Sequence, residues 1–141
     1  MRILVTGHTA GIGAALIDIF SINKHDVYGI ARNNSEKIDN SKQIKLDLQK
    51  ENDIEKAYKW ARKVNPDIFY HCAGSNPVTP IIEASPKVYT DCFKLHFLSA
   101  SQIFKGCIES KKKDQILKIF LISSIWSLIS ANSRGPYSIA K

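Results

Sequence analysis

The sequence predicts an α/β domain: a doubly wound parallel sheet in the strand order 3-2-1-4-5, with helices on both faces. Three observations carry the prediction. Short apolar runs rich in β-branched residues alternate with stretches of helical periodicity along the whole chain. A glycine-rich turn, Thr6 to Gly13, joins the first apolar run to the first helical stretch. Proline and glycine then punctuate the later boundaries, at Pro66, Gly74 and Pro86. Strands alternating with helices imply a parallel sheet covered on both sides, and right-handed crossovers select the order.

The elements follow in sequence. Arg2 to Thr6 reads as a buried strand because its apolar run ends at a glycine turn. Ile12 to Ile22 reads as a helix, with Ile12, Leu16, Ile19 and Phe20 at helical spacing. Val27 to Ala31 is the second strand and Ile44 to Leu48 the third. Asp53 to Val64 is a helix with Ile54, Ala57, Tyr58 and Ala61 on one side, closed by Pro66. Asp67 to Cys72 is the fourth strand. Ser85 and Pro86 form a helix start, a hydroxyl cap followed by proline, and that helix should run to about Glu109. Ile116 to Ser123 is the fifth strand.

At 141 residues one domain is expected, residues 1–141. The apolar share of 44% and charged share of 23% are those of an ordinary globular chain. No apolar run reaches the ~20 residues that a membrane span requires. The start, Met1-Arg2 leading straight into a strand, is not a signal peptide, so a cytoplasmic protein is expected. The formal charge of +7 comes from scattered lysines, with one cluster at Lys111, Lys112 and Lys113 in a loop. A solvated surface explains it better than a nucleic-acid patch. Cys72, Cys92 and Cys107 are odd in number and far apart, which suggests reduced thiols and no metal site.

The chemistry sits at the two ends. A glycine turn between strand and helix suits a pyrophosphate: the helix N-terminus offers free amides and a partial positive charge, and glycine lets the backbone approach. By itself the turn points moderately to a nucleotide, the other reading being a tight strand-to-helix connection that binds nothing. At the other end Tyr137 and Lys141 lie four residues apart, on one face of a helix that Pro136 is suited to start. A neighbouring ammonium favours the ionised phenol, which fits Tyr137 for proton transfer.

Thr6-Gly7-x-x-x-Gly11-x-Gly13 at the first strand end, followed by Tyr137-x-x-x-Lys141, resembles the short-chain dehydrogenase/reductase family in its ordinary short form. The resemblance spans the chain and implies a Rossmann-type domain with NAD(P) as cofactor. It assigns cofactor contacts to Thr6, Gly7, Thr9, Ala10, Gly11, Ile12 and Gly13 in the turn. Asp47 and Leu48 match the adenine-contacting pair. Cys72, Ala73 and Gly74 stand where the family has Asn-Ala-Gly. Ser124, thirteen residues before Tyr137, matches the catalytic serine, which gives Ser124, Tyr137 and Lys141 as the catalytic group. Tyr137 and Lys141 also border the cofactor. His96 stands where the family has an asparagine in the fourth helix.

The end of the second strand chooses between the cofactors. A carboxylate there accepts from a ribose hydroxyl, whereas an arginine pairs with a 2′-phosphate. Ala31 occupies the acidic position and Arg32 follows it, so NADP is expected over NAD, with Arg32 as discriminator and Asn33 assisting. The sequence thus reads as an NADP-dependent oxidoreductase that interconverts a carbonyl and a secondary alcohol. Its partners would be a small carbonyl or alcohol substrate, with no nucleic acid and no membrane. The alternative is a non-catalytic dinucleotide-binding or sensor protein on the same fold. The chain ends on Lys141, so the resemblance further implies the N-terminal part of a longer, homo-oligomeric parent. The 141 residues alone are then expected to be inactive.

Overall fold

The computed structural model describes residues 1–129 and 132–141. Five parallel strands form one sheet in the order β3-β2-β1-β4-β5. The strands are β1 (Arg2–Thr6), β2 (Asp26–Ala31), β3 (Gln43–Lys45), β4 (Ile68–His71) and β5 (Lys118–Leu121). The helices are α1 (Gly11–Ile22), α2 (Glu51–Val64), α3 (Pro86–Phe93), α4 (Ser99–Glu109) and α5 (Gly135–Ala140). The expected architecture and strand order are both present.

The period of two along β1 builds two cores. Leu4 packs with Ile30, Phe69, Ala57, Ala61, Ile103 and Cys107, under α2 and α4. Ile3 and Val5 face the other way and pack with Ile17, Val27 and Ile68, under α1. Each buried Leu, Ile or Phe adds about 1.5–3 kcal/mol. The central strands are therefore the most firmly held part of the molecule, and their carboxyl ends are a rigid edge on which to mount a site.

Several expectations need correction. The third strand stops at Lys45 instead of Leu48. The Asp47 side chain accepts from the Gln49 amide, and Asp53 accepts from the Asp47 amide, so the chain turns there. The second helix begins at Glu51, two residues early, and the fifth strand spans only Lys118–Leu121. Ser85 makes no side-chain cap bond, although Pro86 does open α3. The long helix to Glu109 is interrupted by a π-helical turn, Lys94–Leu98, where the Ser99 amide reaches back to the Lys94 carbonyl. The face of α1 is also different. Ile12 and Ile19 are exposed, while Gly13 and Ile17 are buried.

The rotation of α1 has a steric cause. A Cβ on Gly13 would stand 2.3 Å from the Gly7 carbonyl oxygen, so this face of the helix lies directly on the turn. Ile17, one helical turn on, is thereby aimed into the core.

Candidate active site

The turn after β1 takes its shape from Gly7, which has φ +65° and would place a Cβ 2.8 Å from the Ala73 backbone. The chain then enters α1 without a side-chain cap on Ala10. The first amides of that helix have no helical partners and none from a capping side chain, which leaves them free for an anion. A cavity of about 350 Å³ opens beside them, at the carboxyl edge of β1, β2 and β4. That edge is where strand order reverses direction from β1, the place where doubly wound sheets take ligands.

The cavity wall includes most of the residues singled out from sequence: Gly7, Thr9, Ala10, Gly11 and Ile12 from the turn, Arg32 and Asn33 after β2, Asp47 and Leu48 after β3, and Cys72, Ala73 and Gly74 after β4. Thr6 and Gly13 are not on the wall; both are buried behind it. Ala31, at the cofactor-selecting position, lines it too; Ile30, Leu46, Gln49, Ser75 and Leu95 also line it and were not anticipated. Strand-end alternation could have signalled Ile30 and Leu46, but Leu95 depends on the π turn.

Thr6 has a supporting task. The Leu95 carbonyl can only accept, so His71 Nε2 carries the proton toward it, at 3.1 Å. His71 Nδ1 is then bare and takes the Thr6 hydroxyl hydrogen at 3.0 Å, while Thr6 Oγ1 accepts from the Ala73 amide at 3.1 Å. One chain of bonds thus ties β1, β4, the post-β4 loop and the π turn together. Burial drives the His71 pKa down to about 4, aided by the Lys141 and His96 charges and opposed by its bond to Leu95.

This pKa predicts an acid sensitivity. An unfolded histidine takes up its proton near pH 6.5, whereas folded His71 resists until about pH 4. Stability from this group is intact above pH 6.5 and falls as pH drops through that window, by about 3 kcal/mol at pH 4. Urea unfolding midpoints measured from pH 7 to pH 4 should show the loss, and His71→Gln should flatten it.

The second group gathers beyond Cys72. Tyr137 lies on α5, which opens at Gly135 with Pro136 in its first turn. Its ring meets His96 edge-on at 5.4 Å, and His96 in turn lies against Gly74 of the cavity wall. Lys141 Nζ stands 5.8 Å from the Tyr137 ring centre and donates to the Ile122 carbonyl at the end of the fifth strand. Ser124 follows on that same edge. Its Oγ accepts from the Trp126 amide at 3.3 Å and caps a short 3-10 turn, Ile125–Ser127, which packs against α5. Tyr137 on α5 and Lys141 at its C-cap therefore lie close together, and Ser124 lies on the neighbouring segment.

Electrostatically this region favours neutral forms. Burial lowers the Lys141 ammonium below its usual range, only partly offset by Cys72. Burial also lowers His96, with Lys141 adding to the effect. The Cys72 thiol is pushed up to about 11 by burial, which makes it a poor nucleophile. Among the described residues no helix is long and apolar enough to cross a membrane.

An open parallel sheet with a glycine turn feeding a helix, and a crevice at the strand-order switch, defines the Rossmann class of α/β proteins. Residues 1–141 match the sequence model of the family described as short chain dehydrogenase, and the chain belongs to that family of oxidoreductases. Among solved structures it resembles a short-chain dehydrogenase/reductase from Burkholderia vietnamiensis, at 18% identity and TM-score 0.87, over 99% of this chain and 73% of that one. An oxidoreductase from Brucella ovis in complex with a partially ordered NAD matches at 22% identity and TM-score 0.87, over 99% and 70%. A 4-hydroxyisoleucine dehydrogenase complexed with NADH and succinate matches at 21% identity and TM-score 0.84, over 98% and 65%.

Proposed function

We propose that the cavity binds NADP and that the full-length protein interconverts a carbonyl and a secondary alcohol by hydride transfer, with Ser124, Tyr137 and Lys141 handling the proton. The observation that carries this reading is the convergence of two groups on one sheet edge. The glycine turn lines the cavity, and Tyr137 packs against His96, whose neighbour Gly74 lines the same wall. The cavity residues suit the cofactor: uncapped helix amides for a pyrophosphate, Arg32 and Asn33 at one lip, Asp47 and Leu48 flanking an adenine.

When bound, the nucleotide would supply a hydride in its reduced form, NADPH, and accept one in its oxidised form, NADP+. In reduction the Tyr137 hydroxyl donates its proton to the substrate oxygen, so that the carbonyl gains one hydride and one proton and becomes an alcohol. In oxidation Tyr137 takes that proton back. The Ser124 hydroxyl orients the substrate oxygen beside the phenol. Lys141 supplies positive charge near it. Cys72 acts as a small wall residue and not as a nucleophile.

Two of the relatives named above carry NAD or NADH in their complexes, so the choice of NADP rests on Arg32. A guanidinium at the lip grips a 2′-phosphate through charge-assisted hydrogen bonds of about 1.5–3 kcal/mol. Arg32→Ala should therefore lower the preference for NADPH over NADH by about thirtyfold. Titrating both nucleotides by their fluorescence measures it. A wild type that prefers NADH, or a ratio that Arg32→Ala leaves unchanged, rules out this assignment.

A further inference from the structure

His8 is the second residue of the glycine turn, yet it does not face the cavity that its neighbours Gly7 and Thr9 line. It is 1% exposed. Its imidazole lies over Gly29 of β2, where a Cβ would come within 2.5 Å of the ring. Its Nε2 is 3.0 Å from Gln43 Oε1. Gln43, at the start of β3, is also buried and saturated with partners. Its amide nitrogen donates to the carbonyls of Ser35 at 2.8 Å and Ile38 at 2.6 Å, and its Oε1 also accepts from the Ser35 amide at 2.8 Å.

These bonds fix the chemistry. Two carbonyls claim the Gln43 NH₂, so its oxygen is the acceptor, and His8 Nε2 must be the donor. The pair is a buried strut. One end is the pyrophosphate turn. The other end closes the loop from Ser35 to Asn40, which continues directly from Arg32 and Asn33 at the opposite lip of the cavity.

We propose that His8, through Gln43, is a positioning residue for cofactor selection: it holds the Arg32–Asn33 lip at a fixed distance from the glycine turn, so that a nucleotide seated on the turn presents its 2′-phosphate to Arg32. The inference rests on the proposed NADP site and deepens it. Both nucleotides use the turn alike, but only the one with a 2′-phosphate depends on where Arg32 stands. Loosening the strut therefore costs NADPH affinity and spares NADH. A merely structural role would weaken both equally.

The test uses His8→Phe, which keeps a ring over Gly29 and removes only the donor. In the full-length protein, NADPH affinity should fall about fivefold with NADH affinity unchanged, as for loss of one neutral hydrogen bond. His8→Gln, which restores a side-chain N–H, should bring the wild-type ratio back. Gly29→Ala is an independent route, since its methyl drives the ring off Gln43 without altering either partner, and it should lower the ratio in the same direction. An unchanged ratio in a folded His8→Phe or Gly29→Ala protein, or equal weakening of both nucleotides, overturns the positioning role alone. A wild type that binds neither nucleotide overturns the cavity reading and this inference together.

Discussion

Replacing Tyr137 by phenylalanine is expected to lower carbonyl reduction by about a thousandfold, the scale of a positioned general acid. Nucleotide affinity should stay within about twofold, because the substitution removes one oxygen and leaves the packing in place. The Tyr137 ring makes its edge contact with His96 at 5.4 Å and stands 5.8 Å from the Lys141 ammonium, and a phenylalanine ring keeps both. Steady-state rates at saturating NADPH, paired with nucleotide titration and an unfolding midpoint, separate the two effects. A Tyr137→Phe enzyme that retains its rate removes the phenol from the chemistry. A full-length wild type that binds nucleotide and has no reductase activity against a broad carbonyl panel favours the sensor reading.

The same geometry explains why the surroundings of Tyr137 matter. His71, His96, Cys72 and Lys141 all shift toward their neutral forms, and burial is the largest cause in each. A site that penalises charge this way strengthens whatever charge the chemistry does require, because little water screens it. Lys141 is the one cationic side chain in that group, and its bond to the Ile122 carbonyl aims it along the sheet edge from which Ser124 follows.

What was legible in the sequence was local. The spacing Gly7, Gly11, Gly13 marked the turn, and alternation of apolar runs with helical periods gave the sheet order. What escaped was set by tertiary contact. No breaker residue marks the π turn at Lys94–Leu98. It coincides with three carbonyl-directed bonds: His71 and Ser99 to Leu95, and His96 to Ser75. The third strand stops where the Asp47 and Asp53 side chains intercept the backbone amides that a strand would need. His8 and Gln43 meet across 35 residues, and nothing in either one's neighbourhood announces the other. The α1 face was misread because Ile12 and Ile19 fit the apolar period as well as Ile17 does. Periodicity ranks residues by hydrophobicity, whereas the helix was rotated by a steric demand that hydrophobicity does not record.

That demand supplies the second large expected effect. Gly13→Ala places a methyl 2.3 Å from the Gly7 carbonyl oxygen and 3.1 Å from the His8 Cα, both backbone atoms that no rotamer change can move. Gly7 cannot retreat, because its own turn already lies against the Ala73 backbone. α1 must instead lift away from the sheet, which loosens Ile17 from the core beneath it. Overpacking of this kind costs about 3 kcal/mol, the upper part of the usual range, because neither partner is flexible. Urea unfolding of Gly13→Ala should show that loss as a lower midpoint at constant slope. The helix amides move with α1, so nucleotide affinity should fall as well, for NADPH and NADH alike. Equal loss of both nucleotides separates this variant from the lip substitutions, which act on the 2′-phosphate alone. A Gly13→Ala protein of wild-type stability would mean that α1 does not rest on the turn, and the cavity built between them would lose its floor.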